Sequence, residues 1–301
     1  MIKNNTVIIL VNYNGFDDTR DCINSIKQSI GVLPFIVVVD NASNNPNKLE
    51  LLNKDYKLLK IIYNEDNIGF GKANNRGIKW AQNNIDFNFL LLLNNDTIID
   101  KNCVTELINP FYTDLNLAIV TGRIFYEFNH NLIWYAGAEI SYKRCWPIIH
   151  GFEKIDFFKE TKYPSKYVSF ASGCLMMFSK NSINEFSGFD NDFFMYCEDL
   201  ELCYRIQQKR KKIFYNHKAV IYHKVNGSSN IDDASNIRQK KKKTYYNERA
   251  NNPALQFLWF NMSINQYKVI EKYYSGFEKI NVVFLFHIKL IYKLLRFLIN
   301  G

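Results

Sequence analysis

The chain opens with short apolar runs, each closed by a polar cluster. Val7 to Val11 is uninterrupted hydrophobic sequence and predicts a buried strand. From Asp17 to Ser29 the apolar residues Cys22, Ile23 and Ile26 recur at helical spacing. Phe35 to Val39 predicts a second strand ending at Asp40, and Leu58 to Tyr63 a third. Ala73 to Ala81 has helical character, and Phe89 to Leu93 predicts a fourth strand that closes on Asn94-Asn95-Asp96. Alternation of this kind implies an α/β fold, a mostly parallel sheet flanked by helices. Such sheets bind ligands beyond the carboxyl ends of their strands. The polar clusters after Val11, Val39, Tyr63 and Leu93 are therefore expected in one crevice.

The middle of the chain is less periodic. Ile124 to Tyr167 is rich in aromatic and turn residues, and its strands have no readable order. Tyr167 to Phe178 reads as a strand interrupted at Ser172-Gly173, and Ile213 to Tyr215 and Val220 to His223 as short strands. Glu198 to Gln208 predicts a helix that opens with acidic residues, as a helix N-terminus prefers. From about Ile231 the sequence turns helix-forming and basic, with the run Lys240 to Lys243. Val282 to Ile299 is almost wholly apolar, its charges Lys289, Lys293 and Arg296 forming one narrow helical stripe. The pattern predicts a catalytic-type domain over 1–250 and a helical C-terminal extension over 251–301.

Composition narrows this picture. In 301 residues, 47% are hydrophobic, enough for one large core. An excess of 38 Lys and Arg over 29 Asp and Glu favours anionic partners. The six cysteines form no C-x-x-C pair and have no accompanying His cluster, which argues against a zinc site or a disulfide framework and for reduced thiols. The N-terminus has no signal-peptide pattern, and no stretch reads as a clear transmembrane helix. The expected location is cytoplasmic.

Five motifs carry candidate chemistry. Leu93-Asn94-Asn95-Asp96 delivers a carboxylate to a strand end, where a hard divalent cation takes oxygen ligands; by itself it is also ordinary turn chemistry. Glu198-Asp199 places adjacent carboxylates at a helix start, positioned for general-base work or for helix N-terminal charge pairing. Asp40-Asn41-Ala42-Ser43 follows a strand and suits either a nucleoside or a capped turn. Asn67-x-Gly69-Phe70-Gly71-Lys72 only partly matches a dinucleotide fingerprint, since Asn74 stands at the third glycine position. Lys72 and Arg76 there can face phosphate. His223 ends a strand ahead of a polar loop containing Gly227 and Ser229.

Taken in this order, together with Val11-Asn12-Tyr13-Asn14, Ala73-Asn74-Asn75, Ser172-Gly173 and Leu202-x-x-Arg205, the motifs resemble the family 2 glycosyltransferases of GT-A fold, in particular their rhamnosyltransferase-like branch. The resemblance runs from Val7 to about Asn251. It implies an inverting enzyme that moves a sugar, rhamnose or a related hexose, from a nucleoside-diphosphate donor, dTDP- or UDP-linked, to a saccharide acceptor. It implies that Asn12, Asn14, Asp40, Asn67, Gly69, Lys72, Asn75, Asn95 and Gly173 face the donor. It assigns Asp96 and His223 to Mg²⁺ or Mn²⁺, Asp199 to the base, and Glu198 to the acceptor or sugar. One departure stands out: many relatives carry two carboxylates in the metal motif, and Asn94 leaves only Asp96. Metal is therefore expected to bind together with the donor. The apolar terminal helix suggests a lipid-linked acceptor, with the basic stripe on acidic headgroups at the cytoplasmic face of the inner membrane; packing on protein is the alternative. Against a sugar nucleotidyltransferase, Asn12-Tyr13-Asn14-Gly15 replaces a Gly-rich basic loop. Against a nucleic-acid binder, no recognition motif appears.

Overall fold

A computed structural model describes residues 5–156, 162–225 and 253–300. Strands β1 (Thr6–Asn12), β2 (Phe35–Asp40), β3 (Leu59–Tyr63) and β4 (Phe89–Asn94) alternate with helices α1 (Phe16–Ile26), α2 (Leu52–Asp55) and α3 (Phe70–Asn84). The next portion contains β5 (Thr97–Ile99), α4 (Cys103–Ile108), β6 (Leu117–Tyr126), β7 (Asn129–Tyr135), β8 (Ala138–Ser141) and β9 (Trp146–Ile149). Then come β10 (Lys166–Val168), β11 (Leu175–Ser179), α5 (Lys180–Phe186), α6 (Glu198–Gln208) and β12 (Lys212–His223). Helices α7 (Pro253–Tyr273) and α8 (Gly276–Asn300) form the C-terminal extension.

The apolar runs become strands because they are covered on both faces: Val7 to Leu10, Ile36 to Val39 and Leu90 to Leu92 are fully buried. The main sheet runs β10-β12-β6-β11-β4-β1-β2-β3, with β5 on β12 and β7 on β6. Strands β3, β2, β1 and β4 are mutually parallel, whereas β11 is antiparallel to both β4 and β6. The register pairs Asn12 with Asp40, Asp40 with Tyr63, and Val11 with Asn94. The carboxyl ends of four strands therefore lie level, and the polar clusters converge as the alternation implies. Helix α3 lies close on this sheet because residue 77 is glycine; a Cβ there would stand 2.6 Å from the Ile9 side chain.

Two expectations are corrected. The interrupted strand at Tyr167 to Phe178 is two strands in different places: β10 pairs with β12, while β11 lies between β4 and β6. Ser172-Gly173 belongs to the crossing between them. The two short strands after Lys212 are one strand, β12, whose register on β6 shifts between Asn216 and Val220. The expected helix Glu198 to Gln208 is observed with those bounds, while Ala73 to Ala81 is the middle of the longer α3. The Lys240 to Lys243 run and the loop with Gly227 and Ser229 lie outside the described residues. No described helix is long and apolar enough to cross a membrane.

The aromatic middle is held by a buried charge. Arg123 is fully buried, pairs with Asp156 at 3.0 Å, and donates to the Tyr215 hydroxyl and the Tyr163 carbonyl, each at 3.1 Å. Removing one member leaves the other charge buried without compensation. Arg123→Met is expected to lower stability by about 3–5 kcal/mol in urea unfolding, and Arg123→Met with Asp156→Leu to regain most of it.

Candidate active site

The ends of β1 and β2 are stitched by side chains. The Asn12 amide donates to Asp40 Oδ1 at 2.7 Å and to Ser43 Oγ at 3.0 Å, while Asn12 Oδ1 accepts from Thr19 at 2.9 Å. Asp40 is 1% exposed, and Ser43 donates to it from both its hydroxyl and its backbone N–H. The backbone N–H of Asn14 donates to Ser43 Oγ, and its side chain accepts from the Asn44 N–H, each at 2.8 Å. Asn41 ties the end of β2 to Asn64 and to Asn67, which in turn accepts from Gly69 N–H. Beside these lies a groove of about 330 Å³ lined by Asp40, Ser43, Tyr63, Asn64 and Glu65 among others. Thr19, Asn64 and Glu65 were not singled out in the sequence. Thr19 is a β-branched polar residue on the buried face of α1, and that placement was its only signal.

Gly69 has φ +87°, and a Cβ on it would lie 2.2 Å from the Phe194 carbonyl oxygen. It is glycine because the chain both turns left-handed and touches backbone there. Phe70 N–H donates to that same carbonyl at 2.9 Å, which joins the start of α3 to the segment ahead of α6. Lys72 and Arg76 are exposed, and Arg76 donates to Asn64. Asn75 is committed elsewhere: its amide bonds Phe189 and Asn191, so it braces the loop after α5 and does not line the groove beside Asp40.

At the end of β4, the Asn95 amide donates to Thr19 at 2.8 Å. Asp96 Oδ1 meets His223 Nε2 at 3.0 Å, both residues being almost fully buried. Burial works against a charged imidazole, but the Asp96 carboxylate and the Cys174 thiol outweigh it and raise the His223 pKa well above its ordinary value. Two buried polar atoms at this locus, Asn94 Oδ1 and His223 Nδ1, make no hydrogen bond among the described residues. One carboxylate and one imidazole form a donor set that suits Mg²⁺ or Mn²⁺ only if further oxygens are supplied. In keeping with this, no group of three or more His, Cys, Asp and Glu able to hold a metal occurs among the described residues.

The carboxylate pair sits at the first residues of α6. Asp199 accepts from Gly173 N–H at 3.1 Å and from Leu200 N–H at 2.8 Å. Glu198 is 6% exposed, and its Oε2 is buried without a hydrogen-bond partner. Burial raises the pKa of both, and the charge of Asp199 raises Glu198 further. Because Asp199 has two N–H donors and Glu198 Oε2 none, Asp199 ionises first and Glu198 keeps the proton. Gly173 is a donor to the carboxylate and meets the Phe70 ring at 3.3 Å from its would-be Cβ. The next residue, Cys174, accepts from Asn94 N–H at 3.1 Å. Asp199, Gly173, Cys174, Asn94 and Asp96 are thus linked through adjacent contacts, and the two ends of the expected site converge.

Other residues of the α6 motif are structural. Glu201 is fully buried and receives Arg205 at 2.8 Å, Lys272 at 2.6 Å and Tyr273 at 2.7 Å. Arg205 also donates to the Phe186 and Gly188 carbonyls.

A parallel half, a mixed half carrying Asp96, and paired carboxylates opening a helix match the GT-A class of transferase architecture. The solved structure of GalNAc-T7 with UDP, GalNAc and Mn²⁺ shares the fold, with TM-score 0.61 and 18% identity over 86% of this chain and 49% of that one. The model of Glycosyl transferase family 2 matches residues 7–187, and the chain belongs to that family. It is 28% identical over 211 residues to the low-salt glycan biosynthesis hexosyltransferase Agl10 of Haloferax volcanii, covering 68% of this chain and 62% of that protein. It is 26% identical over 183 residues to the rhamnosyltransferase WbbL of Escherichia coli K12, covering 54% of this chain and 67% of that protein. The chain therefore spans less than two thirds of the length of the Haloferax relative. Glu198, Asp199, His223 and the extension lie beyond residues 7–187, the part that the family model matches.

A carboxyl held protonated by burial destabilises the fold once it must ionise. Glu198, with its raised pKa, contributes full stability below the ordinary carboxylate range and loses it as pH climbs through the raised value. Glu198→Gln is expected to flatten that loss, so that wild type minus variant stability falls with rising pH in thermal unfolding. A constant difference across pH would contradict the protonated assignment.

Proposed function

We propose that the chain is an inverting hexosyltransferase that uses a nucleoside-diphosphate sugar, dTDP- or UDP-linked, with rhamnose or a related hexose as the transferred group. The observation that carries this reading is the chain of contacts from Asp199 through Gly173 and Cys174 to Asn94, two residues before Asp96, which puts an ionisable carboxylate on the strand end that also bears Asp96. The nucleoside lies in the groove beside Asp40. Asp40 Oδ2 accepts only Ser43 N–H among the described side-chain contacts, which leaves it able to take a ribose or base donor.

Asp96 and His223 would hold Mg²⁺ or Mn²⁺ together with oxygens of the donor diphosphate. The cation supplies charge neutralisation for the departing nucleoside diphosphate. Asp199 removes the acceptor hydroxyl proton as that oxygen bonds the anomeric carbon and the bond to the diphosphate breaks. Glu198, protonated, donates a hydrogen bond to acceptor or sugar. Loss of a positioned base costs on the order of 10²–10⁴ in rate. Asp199→Asn is therefore expected to abolish transfer while calorimetry with UDP- and dTDP-sugars, with and without Mn²⁺, still registers donor binding. Near-normal turnover in the variant would remove Asp199 from the role of base.

The acceptor is a lipid-linked saccharide of cell-surface polysaccharide or O-antigen synthesis, met at the cytoplasmic face of the inner membrane. Support comes from the extension. On α8, Phe277, Ile280, Phe284, Ile288 and Ile291 form one exposed stripe; on α7, Phe257, Phe260, Ile264 and Tyr267 form another. Isolated exposed apolar residues are common, but contiguous stripes mark interaction surfaces. Of the stripe expected to touch headgroups, Lys289 instead places Nζ 4.8 Å over the Trp146 ring, while the side chains of Lys293 and Arg296 lie outside those described. The apolar side of α8 is outermost, and membrane contact here rests on it. A chain ended after Phe277 is expected to lose co-sedimentation with inner-membrane vesicles; a full-length protein that stays in the supernatant would assign the stripes to protein packing.

A further inference from the structure

We propose that Asn265, on α7 of the extension, is a positioning residue for the base; this rests on the reading of Asp199 as base. The segment that launches α6 is conformationally costly. Tyr196 has φ +70° and Cys197 φ +65°, the only consecutive non-glycine residues in the left-handed region among those described. Side-chain residues visit that region at a cost and persist there only where the surroundings enforce it. The next two residues are Glu198 and Asp199.

The enforcing contact comes from outside the catalytic domain. Asn265 is 3% exposed, and its amide nitrogen donates to the Met195 carbonyl at 2.9 Å and to the Tyr196 carbonyl at 3.0 Å. One nitrogen serving two successive carbonyls fixes their relative direction, which is the quantity a left-handed turn must hold. Two further contacts of α7 flank it: Cys197 Sγ donates to the Met262 carbonyl at 3.7 Å, and Lys268 donates to the Asp192 carbonyl at 2.7 Å. Asp199 accepts from Leu200 within α6 and from Gly173 across the site. A turn relaxed at 196–197 would re-aim the start of α6 and lengthen the bond across the site to Gly173. The carboxylate would then lose an N–H donor, which raises its pKa.

The test compares Asn265→Ala, the size-matched Asn265→Asp, and Gln266→Ala. Gln266 anchors the same helix to the Arg144 and Cys145 carbonyls, at 2.8 and 3.2 Å, and makes no hydrogen bond to the turn among the described residues. Two readouts are taken: turnover of UDP-glucose or dTDP-rhamnose with Mn²⁺ as a function of pH, and hydrogen exchange of the Gly173 and Leu200 amides, which needs no substrate. Both Asn265 variants are expected to lower kcat about ten- to a hundred-fold with donor KM little changed, to move the acid limb of the pH profile upward, and to speed exchange at those two amides. Gln266→Ala is expected to leave all three measures near wild type. Unchanged exchange and pH profile in the Asn265 variants, or equal changes in Gln266→Ala, would overturn the proposal. If Asn265→Ala fails to fold, Asn265→Asp decides by the same measures; failure of both while Gln266→Ala folds would assign Asn265 to global stability and overturn it. Asp199→Asn, run alongside, tests the base assignment separately.

Discussion

Two backbone N–H groups from different parts of the chain hold the Asp199 carboxylate, and the site depends on their meeting there. One belongs to α6 itself. The other, Gly173, sits where the chain enters β11, and the following carbonyl is bonded by Asn94 at the end of β4. Antiparallel insertion of β11 beside β4 is what makes this possible, because it brings the start of one strand against the end of the other. A buried carboxylate lacking such donors would remain neutral near pH 7 and be useless as a base. With them it becomes the more acidic member of a pair whose other member, Glu198, has a buried oxygen without a donor. Environment thus gives two adjacent carboxyls different acidities, as the proposed base and its neighbour require.

Much of this was legible. The short apolar runs and the helical spacing gave the first four strands and parts of α1 and α3, and the rule that strand ends converge put Asp40, Asn67 and Asp96 in one crevice. Local physics suffices there: the strands are short, buried on both faces and closed by polar turns. Legibility failed where partners are far apart in sequence. Arg123, Asp156 and Tyr215 form one buried unit, yet nothing in their local sequences announces it. Ser172-Gly173 was readable as an interruption, but its displacement across two strands follows from pairing, which periodicity does not encode. Asn75 sat inside a resembling motif, and only the tertiary structure shows its amide spent on Phe189 and Asn191.

The charge arrangement also explains a sequence departure. Asp96 stands without a second carboxylate in its motif, and its partner in the structure is His223, whose pKa it raises. The Asp96 carboxylate faces the His223 imidazole, while His223 Nδ1 stays without a hydrogen-bond partner among the described residues. Were a divalent ion bound with a diphosphate, Asp96 and His223 would be the residues to hold it and the diphosphate would supply further oxygens.

The extension belongs to this arrangement rather than being tethered to it. Its helix α7 supplies Lys272 and Tyr273 to Glu201, a fully buried carboxylate on the catalytic helix. Detaching α7 would strip Glu201 of two of its three partners and leave it Arg205 alone. Asn265 lies on the same buried side, against the left-handed turn. The opposite side of α7 carries exposed Phe257, Phe260 and Ile264. A single rigid helix therefore has one surface that shapes the start of α6 and another that faces outward with apolar side chains. The outer surface and the contacts of Asn265 with the turn ahead of Glu198 and Asp199 therefore belong to one structural element.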